Sequence, residues 1–158
     1  MPSAIAPATI RSSASTPRPA PSLAAIRPRG IGDVGISRLA WRIDDDLPTV
    51  CSPVCNGRLV ISLTSGGILT CCDALGGQKL WQKDYTECGR SFEASPVLAG
   101  DRLYLIDSES ATGIVKADRQ FGSLGQCELG EPCIGASFAL APGRIYIRGE
   151  KRLFCIGR

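Results

Sequence analysis

A sequence repeat of about 43 residues is the feature that most constrains the fold of this chain. Three related segments begin with an arginine: "RLVISL" from Arg58, "RLYLID" from Arg102 and "RIYIRG" from Arg144. Each follows a second related segment ("SPVCNG", "SPVLAGD" or "SFALAPG") and precedes a third ("GILTCCDA", "GIVKADR" or "RLFCIG"). Because the matches recur in one order at one period, the sequence predicts an array of one repeated structural unit.

Alternating apolar residues predict that each unit is built from β-strands. Leu59 begins such a run in the first unit, and we align it with Leu103 of the second unit. Val60, Tyr104 and Tyr146 then share one position on the opposite face of the strand. Period-two alternation of branched and aromatic residues is typical of strands in a packed sheet.

Turn residues indicate four strands in a complete unit. Asn56-Gly57, Gly100-Asp101 and Pro142-Gly143 follow the first strand of their units, and such pairs join strands in hairpins. A period of about 40 to 45 residues is typical of a four-stranded propeller blade. The sequence therefore predicts an all-β fold, a partial β-propeller of about two and a half to three antiparallel blades. The predicted units are a lone strand at 38–44, blades at 48–85 and 91–129, and a three-stranded unit at 134–157.

The segments "SPVCNGRLVIS" and "GGILTCCDALGGQKLW" resemble the repeat of the pyrrolo-quinoline-quinone-like β-propellers, the quinoprotein alcohol dehydrogenase-like and bacterial-type relatives of WD40 propellers. The resemblance covers residues 26–158 and is closest to the C-terminal blades of a longer member. It implies that Trp41 and Trp81 pack against the neighbouring blade. The second unit has no tryptophan at the matching position.

The number of units is too small for a closed ring. Propellers close with about four to eight blades, and this count gives fewer than three. We expect either a truncated part of a longer propeller or a chain that completes its ring with another chain. In the second case "RLAWRID" around Trp41 would complete the last unit of a second copy. Both cases predict a protein partner or self-association through open blade edges.

Residues 1–30 differ in composition from the rest of the chain. They consist mainly of Ala, Ser, Pro and Arg, and the first acidic residue is Asp33. Such a segment buries too little apolar surface to offset its ordering entropy, so we expect disorder. Its prolines argue against a secretory signal, and a transit peptide is the alternative. The compartment stays open, cytoplasmic by default, although the resemblance is to a family that is often exported.

The composition excludes several kinds of chemistry. The chain has no histidine, which removes the commonest general base and His-ligated zinc. The formal net charge of +3 is scattered, so we expect no nucleic-acid partner, and no apolar run approaches a membrane span. We also expect no metal site.

Cys71 and Cys72 are the only candidates for cofactor binding. The resemblance implies a possible cofactor contact for this pair, because quinone-using members place a disulfide of adjacent cysteines against the quinone. Their position in a third strand instead favours structural residues, one directed inward and one outward. Spacing makes Cys51–Cys55 the most plausible disulfide among the other cysteines.

The acidic clusters favour turns over catalytic sites. "DDD" at 44–46 lies between predicted strands, and a calcium site there lacks the spacing of a known loop. "DSES" at 107–110 is predicted to be a polar turn. We therefore expect a non-catalytic scaffold module with no cofactor. The alternative is a fragment of a quinone-dependent dehydrogenase, which would use pyrrolo-quinoline quinone with calcium.

Overall fold

The regular secondary structure of the computed structural model, which describes residues 21–27 and 38–157, is almost entirely antiparallel β-structure. The strands within these ranges are β1 (Leu23–Ile26), β2 (Leu39–Ile43), β3 (Val54–Cys55), β4 (Leu59–Leu63), β5 (Ile68–Asp73), β6 (Lys79–Asp84), β7 (Val97–Ala99), β8 (Arg102–Ile106), β9 (Ala111–Lys116), β10 (Ser123–Glu128), β11 (Ala139–Ala141), β12 (Arg144–Arg148) and β13 (Leu153–Gly157). A 3-10 turn lies at Thr86–Cys88.

These strands form four antiparallel sheets, each made from consecutive strands. Sheet A has two strands (β1-β2), sheet B has four (β3-β4-β5-β6), sheet C has four in the order β7-β8-β9-β10, and sheet D has three (β11-β12-β13). Sheets B, C and D therefore lie within the three predicted units, and the predicted all-β class is confirmed.

The first hairpin has the same register in sheets B, C and D. The equivalent pairs are Val54 with Ile61, Val97 with Tyr104, and Ala139 with Tyr146. Ile61 is therefore the equivalent of Tyr104, and the predicted alignment of Val60 with Tyr104 is wrong by one residue. The error arises because both faces of these sheets are packed, so apolar residues occupy both phases of the strand and the alternation does not fix the register.

The hydrophobic core lies between successive sheets. Between sheets B and C, the buried cluster includes Ile61 and Leu63 from β4 and Leu105 from β8. The other face of sheet C contributes Ile106 to a second cluster, which includes Ile147 of sheet D. Sheet C is thus covered on both faces, and the sheets stack face to face along the chain.

The predicted lone strand has a partner. β2 pairs with β1, and Ala25 lies opposite Trp41. The prediction that residues 1–30 are disordered is therefore wrong for Leu23–Ile26, and residues 1–20 and 28–30 of that segment lie outside the described residues. The short apolar run "LAAI" was hidden by the average composition of the thirty residues around it, and pairing with a strand whose tryptophan is buried gives it an ordered position.

The turn between the second and third strands has a side-chain cap in every complete unit. Thr64 Oγ1 accepts the Ile68 N–H at 2.9 Å, and Asp107 Oδ1 accepts the Ala111 N–H at 2.8 Å. In sheet D the equivalent residue is Gly149, which has no side chain. Glu131, which is buried in the segment before sheet D and distant in sequence, supplies the missing acceptor, since its Oε1 accepts the Arg152 N–H at 3.0 Å.

Candidate interaction surface

The two tryptophans connect each sheet to the next one. Trp41 Nε1 donates to the carbonyl of Ala74 in sheet B at 2.9 Å, and Trp81 Nε1 donates to the carbonyl of Asp118 in sheet C at 2.9 Å. Trp41 also lies directly on Gly77, where an added Cβ would meet the indole at 2.6 Å. Each indole therefore binds the turn after the third strand of the following sheet.

Sheet C has no tryptophan that contacts the next sheet, as the sequence indicated. Cys71 pairs with Trp81 in sheet B, and the equivalent Ile114 pairs with Gly125 in sheet C. Glycine therefore occupies the tryptophan position. The outer strand of sheet C makes no indole contact to sheet D, so the junction between these two sheets depends on the inner strands and on the cluster around Ile147.

A cleft of about 440 Å³ lies between the outer strands of sheets B and C. Phe92, Leu105 and Val115 form part of its apolar wall, and Gly113 leaves space in that wall. Two basic and two acidic side chains, Lys83, Arg90, Asp84 and Glu87, also line it. Arg90 is already paired with Asp107 at 3.2 Å. The cleft has balanced charge, and the described residues contain no group of three or more metal-ligating side chains.

Cys71 and Cys72 are free thiols in the middle of sheet B. Both are buried, at 0% and 2% exposure, because both faces of the strand are covered. Cys71 belongs to the cluster between sheets B and C, and strand alternation places Cys72 on the opposite face. Burial raises the pKa of the Cys71 thiol to about 12 and also raises the pKa of Cys72. Neither thiol is a ready nucleophile.

The other cysteines give no disulfide within the described residues. Cys51 and Cys55 are both free, which contradicts the bridge predicted from their spacing. Cys51 is buried, and its thiol lies 3.3 Å from the carbonyl oxygen of Ala94 in the next unit, whereas Cys55 is exposed on β3. The side chains thus point in different directions, a property that sequence spacing does not encode.

The acidic clusters are turn and ion-pair residues. Asp107 is 2% exposed, and its Oδ1 accepts the N–H groups of Glu109, Ser110 and Ala111, which makes "DSES" a capped turn. In "DDD", Asp44 lies 2.6 Å from Arg42.

An ion pair also joins sheets B and C near the tryptophan contacts. Arg119 Nη1 lies 2.9 Å from Asp73 Oδ2. This hydrogen bond, with the Gly76 amide, lowers the pKa of Asp73.

Sheet D carries an exposed apolar surface, made of residues other than Ile147, which is buried against sheet C. Leu153 is 69% exposed, and Leu140 and Ile156 are 41% and 43% exposed. β13 pairs with β12 on one side, and no described strand pairs with its other edge. A strand edge with unpaired backbone groups and exposed leucine is suited to binding another polypeptide.

Comparison with known proteins shows what this arrangement of sheets is similar to. No protein-family model matches the chain, and no curated protein matches its sequence. Solved structures with a similar fold include the following three. BamB from Moraxella catarrhalis has a TM-score of 0.60 at 16% identity over 75% of this chain and 33% of that one. The WD40 domain of SCAP from fission yeast has a TM-score of 0.56 at 12% identity, covering 76% and 34%. The quinohemoprotein alcohol dehydrogenase ADHIIG from Pseudomonas putida HK5 has a TM-score of 0.54 at 14% identity, covering 70% and 24%.

The described residues form part of a β-propeller. The similar structures include quinoprotein, BamB and WD40 propellers, so the predicted propeller relationship is supported at the level of fold, while no sequence match identifies the quinone-type repeat. The chain spans about a third or less of the length of each of these structures. No helix in the described ranges has the length and apolar character needed to cross a membrane.

Proposed function

We propose that this chain is a non-catalytic β-propeller module whose function is to bind protein, with sheet D as the contact surface. The observation that carries the proposal is the open edge of β13 beside exposed Leu153. Propeller sheets are stabilised by packing against neighbouring sheets, so an outer face and edge in water are a suitable site for a protein.

The positions of the two adjacent cysteines favour this proposal over a quinone-dependent dehydrogenase. A disulfide of adjacent cysteines that contacts a quinone needs both sulfurs at one accessible surface. Here Cys71 is packed between sheets B and C, and Cys72 lies on the opposite face of the same strand. Both thiols are buried and held in the protonated form by their raised pKa values.

The charged residues also favour a structural role. Asp73, Asp107 and Glu131 accept backbone N–H groups or pair with an arginine. Each is therefore already engaged in holding a turn. A carboxylate in that role has little freedom to act as a general base, because its oxygens are directed at the backbone.

Titration with pyrrolo-quinoline quinone and calcium tests the choice between binding module and enzyme. The absorbance spectrum of the quinone should be unchanged by the chain, and no reduction of an artificial electron acceptor should follow the addition of alcohols. A saturable spectral shift with one quinone per chain, lost in the Cys71→Ser, Cys72→Ser double variant, would refute the proposal.

A further inference from the structure

We infer that the cleft between sheets B and C binds a small organic acid, in which one carboxylate is joined to an aromatic or branched apolar group. The volume of the cleft, about 440 Å³, lies within the range of about 300–1,000 Å³ that is typical of small-molecule sites. Both walls belong to described sheets that pack on each other. The inference therefore does not depend on what covers sheet D, and it goes beyond the proposed function.

In sheet B the same place in the repeat is closed by side chains. The strand pairing makes Thr70 the equivalent of Gly113. Each of these residues pairs with a glutamine of the outer strand, Gln82 in sheet B and Gln126 in sheet C. Gln82 Nε2 donates to Thr70 Oγ1 at 3.3 Å and to Asp46 Oδ2 at 2.5 Å. A hydroxyl and a carboxylate thus fill this place and satisfy the glutamine amide.

In sheet C this place is open. Gly113 has no side chain, and a Cβ added there would lie 3.9 Å from its nearest neighbour, the Leu105 side chain. The Gln126 side chain makes no hydrogen bond to another described residue. A glycine in the interior of a strand weakens the strand and often marks the close approach of a ligand. We therefore expect a bound molecule to supply what Thr70 and Asp46 supply in sheet B, an oxygen that accepts from the glutamine amide.

The carboxylate that fills this place in sheet B is bound by two side chains. Asp46 accepts from the Gln82 amide and lies 3.6 Å from the Lys79 ammonium group. The equivalent of Lys79 in sheet C is Ser123, so the outer strand of sheet C offers an amide and a hydroxyl in place of an amide and a cation. A carboxylate bound there takes its positive partner from the other wall of the cleft.

Lys83 supplies this positive charge. It pairs with Leu69, a member of the cluster between sheets B and C, so its side chain is directed at sheet C. Its ammonium group lies 5.7 Å from the centroid of the Tyr85 ring and is in no ion pair with a described residue. Strand alternation directs Asp84 to the opposite face, whereas Glu87 lies in the wall of the cleft. The carboxylate of the ligand therefore pairs with Lys83, and Glu87 opposes it.

The apolar group of the ligand has a preformed wall. Leu105 and Val115 line the cleft from sheet C, and Phe92 and Phe121 add two aromatic rings. The Phe121 ring is held edge-on against Trp81, with ring centroids 5.3 Å apart. An aromatic or branched group that enters the space beside this wall is removed from water, which favours binding. The site thus selects an acid with an apolar group over a bare carboxylate.

Isothermal titration calorimetry of the unmodified chain with 3-phenylpropionate tests this site. We expect one molecule bound per chain, with a dissociation constant on the order of 0.1 mM, a moderate affinity for a molecule of this size. 3-Phenylpropionamide has the same apolar group without the charge. It should bind at least about tenfold more weakly, because it loses the charged hydrogen bonds. Acetate, which has the charge without the apolar group, should give no measurable binding at the same concentrations.

Gly113→Thr places in sheet C the side chain that closes the equivalent site in sheet B. The new Cβ has room, and β-branched residues favour strands, so the variant should unfold at no lower temperature than the parent chain. It should weaken the binding of 3-phenylpropionate at least about tenfold, because the threonine fills the cleft and accepts from Gln126.

Charge variants test how the ligand is oriented. Lys83→Gln should weaken the binding of 3-phenylpropionate about tenfold, and Glu87→Gln should strengthen it, since one removes the attracting charge and the other the opposing charge. The matched control is Lys151→Gln, an exposed lysine between β12 and β13, which should change the dissociation constant less than about twofold. The Cys71→Ser, Cys72→Ser double variant should bind as the parent chain does, because neither cysteine lines the cleft.

Three results would overturn the inference: no binding by the parent chain, equal affinity for the acid and the amide, or undiminished binding by a folded Gly113→Thr variant. An effect of Lys83→Gln no larger than that of Lys151→Gln would also overturn it. Each of these results leaves protein binding at sheet D untouched. Quinone binding that is lost in the cysteine double variant would refute the proposed function and leave the acid site in place. The two claims therefore fail separately.

Discussion

Replacing Glu131 with alanine removes the only side-chain cap of the turn between β12 and β13. Glu131 is 8% exposed, and its Oε1 accepts N–H groups from Lys151 at 3.4 Å and Arg152 at 3.0 Å. A buried N–H group left without an acceptor costs about 1–3 kcal/mol. Lys151 and Arg152 are exposed, so water partly replaces the carboxylate, and the Arg152 ion pair adds little because that side chain is 70% exposed. We expect Glu131→Ala to lower the free energy of unfolding by about 1–2 kcal/mol.

A second substitution tests the reason for this loss. Thr64 and Asp107 cap the same turn from the position that Gly149 occupies in sheet D. In the parent chain, Gly149→Asp should destabilise, because a Cβ there overlaps the Glu131 carboxylate. In the Glu131→Ala background the same substitution should stabilise by about 0.5–1.5 kcal/mol, since the new carboxylate can cap the turn from its own chain position.

Urea unfolding of the four chains measures this coupling as a double-mutant cycle. The effect of Gly149→Asp should change sign between the two backgrounds. If Gly149→Asp destabilises both backgrounds equally, Glu131 is not the functional substitute for the missing side chain, and the argument is refuted.

Three further outcomes follow from the junctions between sheets. Arg119 lowers the pKa of Asp73, so the Asp73 carboxylate stabilises the fold fully above the usual carboxyl pKa of 3.8, and this stabilisation is lost as the pH falls through the lowered pKa. The difference in the free energy of unfolding between the parent and Asp73→Asn should therefore vanish in acid titrations. Because the pKa of Cys71 is raised to about 12, iodoacetamide at pH 8 should label the exposed cysteine of β13 at least about 100-fold faster than Cys71 in the native chain, and equal labelling would contradict its burial. Gly77→Val should destabilise by about 1–3 kcal/mol more than Gly57→Val in urea unfolding, since both glycines have positive φ but only Gly77 contacts an indole.

The repeat in the sequence predicted the sheets because turns and strands recur at one period. It did not fix the register of the first hairpin: "RLV" and "RLY" look equivalent by letter, whereas hydrogen bonding makes Ile61 the equivalent of Tyr104. Both faces of a propeller sheet are buried, so apolar residues in adjacent positions satisfy either alignment. The spacing from the Ser-Pro-Val motif would have given the correct one, because Ile61 and Tyr104 each follow the valine of that motif, Val54 or Val97, by seven positions.

Other features depend on contacts distant in sequence. One feature of the sequence indicated the cap supplied by Glu131, because Gly149 stands where the other units have a side chain that accepts hydrogen bonds. No feature of the sequence indicated the pairing of β1 with β2, because a four-residue strand is too short for periodicity to reveal. The Cys51–Cys55 prediction failed since sequence spacing says nothing of side-chain direction.

Hydrogen exchange at several protein concentrations tests the central claim most directly, namely that sheet D is open in one copy and becomes covered by protein. The amides of β13 should exchange quickly in dilute solution and more slowly as the concentration rises, because another polypeptide bound at this open edge suppresses its local opening. The amides of β5, which is hydrogen-bonded on both sides within sheet B, should not change. Equally slow exchange of β13 and β5 at every concentration would contradict the account, because it would mean that sheet D is already covered within a single chain.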